Sequence, residues 1–277
     1  MRKHSIILIA IISVIVIGIV AMLFLLGGDK EQEVGQLLTN TDETVVDTDD
    51  GNETVEDGTS QNEEQETEIW EIYKHESGEF YIGGYNGTDK VVYIPEEVDG
   101  HKITGLTGNS FSNNKIIEEV YLPETIKTVS SHSFYKCDNL KKVSFPETLQ
   151  YIGEYAFSFC KSLKEVTLPK ELEFIGGNAF SMCSSLTTVN FNCTKLTNLN
   201  TKCFAYTALK TVTIPECVTF IDDAFISDEK LESAYVPASV VEMDISFFRC
   251  PNVTIYTPKG SYAESYAKTE GYKFIAQ

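Results

Sequence analysis

Cysteine is the residue type in this sequence with the widest chemical range, since a thiol can bind metal, act as a nucleophile or form a disulfide. Of the seven cysteines, Cys137, Cys160 and Cys183 recur every 23 residues. Free cysteine packs as a small buried hydrophobe, so we predict that these three are unpaired core thiols at one position of a repeat. Disulfides remain open among the other four, which fall outside that series: Cys193, Cys203, Cys217 and Cys250.

Metal and catalytic sites have little support in the sequence. There is no CxxC pair, and His75, His101 and His132 do not cluster with cysteines at zinc-ligand spacing. Glycine-rich phosphate motifs and a spaced Ser/His/Asp arrangement are missing too. Adjacent acids such as Asp222 and Asp223 would point to opposite faces of a strand. We therefore predict neither an enzyme nor a bound metal or cofactor.

Side chains that could bind a ligand alternate with apolar residues in six short segments. The polar pairs are Glu119 and Tyr121, Lys142 and Ser144, Glu165 and Thr167, Thr188 and Asn190, Thr211 and Thr213, and Ser233 and Tyr235. Their hydroxyls and amides could hydrogen-bond a glycan or an extended peptide, and the tyrosines could add contact area. Threonine and serine are also ordinary strand residues that face water. The candidate ligand-binding residues are Tyr121, Lys142, Glu165, Thr167, Asn190, Thr213 and Tyr235.

These segments belong to an internal repeat of about 23 residues, in which apolar runs end at proline. Val166 and Leu168 stand two apart, as in a strand, whereas Leu149, Ile152 and Ala156 stand three and four apart, as in a helical turn. The repeat predicts an α/β solenoid with one short parallel strand and a short helix or 3₁₀ segment per unit.

Both ends of the repeat carry cap signals. Residues 70–74, 80–85 and 91–94 alternate apolar and polar types, and Asn86-Gly87 between the last two runs predicts a hairpin turn. At the far end, the pattern that begins at Ser261 and includes Glu264 predicts a capped helix ending at Gly271, followed by a final strand.

The first 27 residues differ from the rest of the chain. Uncharged and mainly aliphatic residues run from Ser5 to Leu26, about the length of a bilayer-spanning helix. The run is longer than a usual signal peptide core, so an uncleaved signal anchor is favoured over a cleaved one. Arg2 and Lys3 before it predict a cytoplasmic N-terminus and an extracellular remainder on a single-pass membrane protein.

Residues 28–69 form a second compositional region, and residues 70–277 a third. The second region contains fifteen Asp or Glu against Lys30 alone, and no aromatic residue. Such a segment cannot bury enough surface to fold, so we predict a disordered acidic stalk. The third region has no basic stripe, which argues against a nucleic-acid partner.

The repeat resembles the BspA-type leucine-rich repeats of bacterial surface proteins. The resemblance rests on the pattern I-G-x-x-A-F-x-x-C-x-x-L-x-x-V-x-L-P of residues 152–169 and its neighbours, and it extends over residues 78 to 275. It implies a leucine-rich repeat solenoid, exposure at the cell surface, and a role in adhesion or binding.

Two functions follow as hypotheses. In the first, a membrane-anchored extracellular module binds a surface protein or a glycan through its strand face. In the second, the chain is a structural or accessory subunit that docks on another envelope protein through its convex side or its transmembrane helix.

Overall fold

A computed structural model describes residues 69–277 of the chain. Its strands are β1 (Trp70–Lys74), β2 (Phe80–Tyr85), β3 (Val91–Tyr93), β4 (Glu97–Val98), β5 (His101–Leu106), β6 (Glu119–Tyr121), β7 (Thr128–Val129), β8 (Lys142–Ser144), β9 (Tyr151–Ile152), β10 (Glu165–Leu168), β11 (Phe174–Ile175), β12 (Thr188–Phe191), β13 (Asn198–Leu199), β14 (Thr211–Thr213), β15 (Phe220–Ile221), β16 (Ser233–Tyr235), β17 (Glu242–Met243), β18 (Thr254–Thr257) and β19 (Lys273–Ala276). The helix α1 is Tyr262–Glu270.

The repeats coil into a solenoid whose units stack through parallel strands. We call β3, β6, β8, β10, β12, β14, β16 and β18 the front strands, and β5, β7, β9, β11, β13, β15 and β17 the back strands. Each front strand lies next to the front strand of the neighbouring coil, and each back strand next to its counterpart. Most of these neighbours are hydrogen-bonded in parallel register, for example β6 with β8 and β7 with β9.

The strand ladders are interrupted at a few steps. Front strands pair as β3-β6-β8, as β10-β12, and as β14-β16-β18, with β19 added beside β18. Ladder pairing is therefore missing between β8 and β10 and between β12 and β14. The back strands pair from β5 to β11 and again from β13 to β17. In the coil that contains β12 and β13, the front strand β12 therefore pairs only with the preceding front strand, β10. The back strand β13 pairs only with the following back strand, β15.

The prediction of one strand and a short helix or 3₁₀ segment per unit is wrong. Residues 151 and 152 form the back strand β9 instead of a helical turn, and residues 153–160 form an arc of turns. The arc is not an α-helix because alternate N–H groups point to the next coil: the Tyr155, Phe157 and Phe159 amides donate to the Gly177, Ala179 and Ser181 carbonyls at 3.1, 2.8 and 2.9 Å. The amides between them donate to carbonyls three residues earlier in the same arc. Tyr155 and Phe159 reach this geometry with positive φ angles of 55° and 62°.

The core is a column of stacked side chains inside the coils. Seven phenylalanines, one per arc, stack with ring centroids 4.8 to 5.8 Å apart: Phe111, Phe134, Phe157, Phe180, Phe204, Phe225 and Phe247. The inward strand residues Val166 and Leu168 are also buried, as predicted. The two-residue spacing therefore identified the core side of the front strands correctly.

Cys137, Cys160 and Cys183 occupy one buried position in successive coils, which confirms their predicted place in the core. Each thiol donates to the carbonyl of the phenylalanine one coil earlier, for example Cys160 to Phe134 at 3.2 Å. Cys250 makes the same bond to Phe225, so it belongs to this series although its spacing placed it outside.

The N-terminal cap is a hairpin, as predicted, but its turn lies elsewhere. Antiparallel β1 and β2 are joined by residues 75–79, where Gly78 has a φ of 88°. Asn86-Gly87 connects β2 to β3, and these two strands pair with β5 and β6 in different sheets. Alternation alone could not show which of the three runs were partners.

The C-terminal cap matches its prediction. The Ser261 hydroxyl accepts from the Glu264 amide at the start of α1, and Gly271 ends the helix with a φ of 77°. β19 then pairs in parallel with β18. Within residues 69–277 no helix has the length and apolar character needed to cross a membrane. The predicted span from Ser5 to Leu26 and the acidic stalk lie outside the described residues.

Candidate ligand-binding face

The alternation of the front strands places one line of side chains across neighbouring coils. Strand register aligns Tyr93 with Tyr121 and Ser144, Thr167 with Asn190, and Thr213 with Tyr235 and Tyr256. These residues point outward because the residues on either side of each are buried, such as Val120 and Leu122, or partly buried against the core, such as Phe191. We call this line the front row: Tyr93, Tyr121, Ser144, Thr167, Asn190, Thr213, Tyr235 and Tyr256.

One end of the front row is a pair of stacked tyrosines. The rings of Tyr93 and Tyr121 are 4.7 Å apart and inclined by 12°, and Tyr93 is 68% exposed. The Tyr121 hydroxyl donates to a Glu119 carboxylate oxygen at 2.7 Å and lies 3.1 Å from the Lys142 ammonium. The hydrogen bond with Tyr121 raises the pKa of Lys142, so Lys142 holds its charge beside the ring.

The other end carries a matching pair. Tyr235 and Tyr256 stack at 4.6 Å with an angle of 18° between the rings. A shallow groove of about 220 Å³ lies beside them, lined in part by Thr213 and Pro237. Five strand spacings separate Tyr121 from Tyr235, which corresponds to roughly 24 Å.

Two larger grooves open where the front ladder is interrupted. The first groove, between β8 and β10, has a volume of about 480 Å³ and is lined by Lys142, Ser144, Glu165 and Thr167 among others. The second groove, between β12 and β14, measures about 600 Å³. Because the backbones are not paired at these steps, their polar groups and the row side chains are open to a ligand. The residues shared by the second groove and the front row are Asn190 and Thr213.

Hydrogen bonds order the middle of the face. The Asn190 amide nitrogen donates to the Glu165 carboxylate at 2.7 Å and approaches the Thr167 hydroxyl at 3.3 Å. These bonds hold three side chains from β10 and β12 in a fixed arrangement while leaving them exposed. The middle of the front row is thus a preorganised polar ledge between two aromatic ends.

The charge on the face is mixed. Lys141, Lys142 and Lys164 line the first groove together with Glu147 and Glu165. The second groove has Lys210 among threonine and asparagine side chains. Neither sign dominates, so the face offers hydrogen bonds and local dipoles instead of one strong field.

The structure brings the seven predicted site residues onto one surface. Tyr121 contacts Lys142, Asn190 contacts Glu165 and Thr167, and Thr213 is in register with Tyr235 on the next strand. Sequence reasoning missed Tyr93 and Tyr256. A signal was present, since both stand two residues before a proline, like Tyr121 and Tyr235.

No assembled metal-binding site is seen in the described part of the chain. Across residues 69–277, no group of three or more His, Cys, Asp or Glu side chains is arranged to hold a metal ion. His132 stacks on Tyr155 at 5.0 Å on an arc.

Comparison with known proteins gives the same fold. A model of the BspA type leucine rich repeat region matches six copies within residues 104–232 and 194–265. The crystal structure of the Treponema pallidum leucine-rich repeat protein TpLRR is similar over 76% of this chain and 97% of that chain, with 20% identity and a TM-score of 0.50.

Two further structures align with lower TM-scores. The pneumococcal vaccine antigen PcpA aligns over 70% of this chain and 66% of its own, with 19% identity and a TM-score of 0.48. A leucine-rich repeat protein from Bacteroides capillosus aligns over 44% of this chain and 94% of its own, with 25% identity and a TM-score of 0.41. No curated protein matches the sequence.

Proposed function

Because the chain belongs to the BspA-type leucine-rich repeat family, we propose that it is a binding module that recognises an extended ligand along its front row. A leucine-rich repeat solenoid presents a repeated surface, and each coil adds one outward residue to it. The proposed activity is recognition without turnover, as the repeat scaffold favours.

The observation that carries this proposal is the pattern of the front row. Two stacked tyrosine pairs, Tyr93 with Tyr121 and Tyr235 with Tyr256, stand at its ends. Small polar side chains fill the positions between them. Aromatic faces supply contact area at low conformational cost, and hydroxyl and amide groups fix orientation.

A linear glycan suits this surface better than a protein partner does. Protein interfaces rely on a buried apolar or arginine anchor near their centre, whereas the centre here is Ser144, Thr167, Asn190 and Thr213. A chain of sugar rings offers hydroxyls to this ledge and flat C–H faces to the tyrosines. The mixed charge of the grooves favours a neutral ligand over a strongly charged one.

The proposed location is the outer face of the cell membrane. This part of the proposal is supported by the N-terminal sequence alone, namely the apolar run from Ser5 to Leu26 behind Arg2 and Lys3, followed by the acidic segment. The binding module would then stand away from the membrane on its stalk.

A length series of soluble chito- and cello-oligosaccharides, titrated against the full-length protein, tests the ligand class. Affinity should rise with length and level off once an oligosaccharide spans roughly 24 Å, the tyrosine separation given by strand spacing. Tyr121→Ala and Tyr235→Ala should each weaken binding about tenfold, the scale of one lost aromatic contact.

The matched control is Tyr151→Ala on the back strand β9. Tyr151 also stacks on an aromatic neighbour, Phe174, at 4.8 Å, but it lies off the front row, so binding should be unchanged. If no oligosaccharide binds, while an envelope protein copurifies equally with the wild type and both front variants, the chain is an accessory subunit instead.

A further inference from the structure

Cys193 and Cys217 lie in neighbouring coils at the interruption between β12 and β14. Cys193 follows β12 by two residues, and Cys217 follows β14 by four. At this step the front strands have no ladder pairing. A covalent link between the two residues would therefore join the coils at a step that lacks front-strand pairing.

The Cys217 thiol is already in contact with Cys193. It donates to the Cys193 carbonyl at 3.3 Å, and its side chain contributes to the raised pKa of Cys193 after burial. Both are free in this structure. The contact brings Cys217 against Cys193 across the interruption, and a disulfide requires such a close approach.

Exposure separates Cys217 from the other cysteines. Cys137, Cys160 and Cys183 are fully buried and donate to phenylalanine carbonyls. Cys217 is only partly buried, whereas Cys193 is 4% exposed. Cys217 is thus accessible to an oxidant in solution, whereas Cys193 is shielded from it.

We propose that Cys193 and Cys217 form a disulfide that joins the two coils across this interruption. The oxidant is a disulfide of the thiol–disulfide exchange class, such as oxidised glutathione or a dithiol oxidase. The Cys217 thiolate attacks one sulfur of the oxidant, which releases one thiol and leaves a mixed disulfide. Cys193 then loses its proton and displaces the second thiol. The two cysteines give up two protons and two electrons, and the oxidant's S–S bond accepts them.

The environment sets the order of the two steps. Burial raises the pKa of Cys193 to about 12, which keeps it a thiol at neutral pH and makes it a poor first nucleophile. Cys217 is therefore the attacking residue, and resolution by Cys193 is the slower step. The mixed disulfide should accumulate at Cys217 early in the reaction.

Oxidation of the reduced full-length protein with oxidised glutathione tests the proposal. Thiol counting in denaturant should fall from seven to five, and trypsin should yield residues 171–195 linked to residues 211–230. Fragmentation should assign the bond to Cys193, since Cys183 is in the same peptide. The thermal midpoint should rise by roughly 5–10 °C and return on addition of dithiothreitol.

Three variants make the result specific. Cys193→Ser should trap glutathione on Cys217, and Cys217→Ser should keep its remaining thiols reduced. Cys203→Ala is the control, because that position is alanine in other coils, as at Ala156 and Ala179, and it should form the same link as the wild type. The proposal is overturned if all seven thiols survive oxidation, if the link maps elsewhere, or if Cys217→Ser still loses two thiols.

Discussion

Asp228 occupies the position that cysteine holds in four other coils, three residues after the stacked phenylalanine. One of its carboxylate oxygens accepts from the Thr207 amide and hydroxyl at 2.6 and 3.0 Å. The other oxygen is buried without a hydrogen-bond partner. In the cysteine coils this position donates a hydrogen bond to a phenylalanine carbonyl. A protonated carboxyl can donate as well, whereas a carboxylate cannot.

The free energy of unfolding should therefore fall as the pH rises. Burial raises the pKa of Asp228 from 3.8 to about 8, so the folded state binds this proton more tightly than the unfolded state does. The stabilisation is complete below about pH 4 and is lost between about pH 4 and pH 8. The side chains of Cys203 and Cys250 interact with Asp228. Both thiols stay neutral in this range because burial raises the pKa of each.

Asp228→Asn measures this contribution. The variant keeps the acceptor for Thr207, adds an N–H donor and does not titrate, so urea denaturation should show a smaller stability loss between pH 5 and pH 8 than in the wild type. At pH 8 the variant should be the more stable protein. Equal pH slopes for the two proteins would mean that Asp228 is ionised throughout or titrates without consequence.

Phe157 gives a second test at the scale of the residue. It is fully buried and stacks between Phe134 and Phe180 at 5.0 and 5.2 Å. Phe157→Ala should cost about 3–5 kcal/mol in unfolding experiments, since it removes a large side chain and leaves a cavity. Phe174→Ala, at a half-exposed ring on β11, should cost less than about 1 kcal/mol. A similar loss for both variants would contradict the assigned core.

The turn arcs are the elements that sequence reasoning read least well. Their three- and four-residue apolar spacing is also that of a helix, and the choice between the two depends on where the backbone N–H groups point. Every second N–H group of an arc bonds to the next coil, which no pattern within one coil reveals. The front strands were predictable because their two-residue alternation is local. Pairing between distant runs, as in the β1–β2 hairpin, was not.

The close stacking of the arcs predicts an asymmetry between two adjacent glycines. A Cβ on Gly176 would lie 2.4 Å from the Glu154 backbone nitrogen, whereas one on Gly177 would lie 3.4 Å from the Thr201 oxygen. Gly176→Ala should therefore cost at least about 2 kcal/mol of unfolding free energy, because the neighbouring backbone must move. Gly177→Ala is the matched control and should change stability by less than about 1 kcal/mol. Equal effects in chemical denaturation would show that the coils are not in this close contact.

At the scale of the whole molecule, the solenoid depends on its ends. The unit built from α1 and β19 covers the edge of β18 and buries Ala263 and Ala267. This cap was predictable from the sequence because its signals, at Ser261 and Gly271, are local. The candidate face was predictable only in part, because the outward positions follow from alternation, whereas the stacked tyrosine pairs and the grooves depend on how coils meet.

Deleting residues 259–277 should therefore expose an unpaired front strand. We expect the truncated protein to form concentration-dependent oligomers, since an open strand edge can pair with another chain. Light scattering coupled to size-exclusion chromatography measures this directly. Ser261→Ala removes the helix cap, at a cost of about 1 kcal/mol, and the hydrogen bond with the Thr257 hydroxyl, but keeps β19 in place, so it should remain in the wild-type oligomeric state. A truncated chain with wild-type size and thermal midpoint would show that the cap is dispensable.

The two tyrosine pairs are separated by a whole number of coils, so their distance is quantised. Removing one complete repeat from the middle would bring them closer by one strand spacing, about 4.8 Å, and would leave every contact within the pairs intact. Duplicating a repeat would move them apart by the same step. The solenoid thus converts a count of genetic units into a molecular length, and the separation of its binding ends can evolve without any change in the ends themselves.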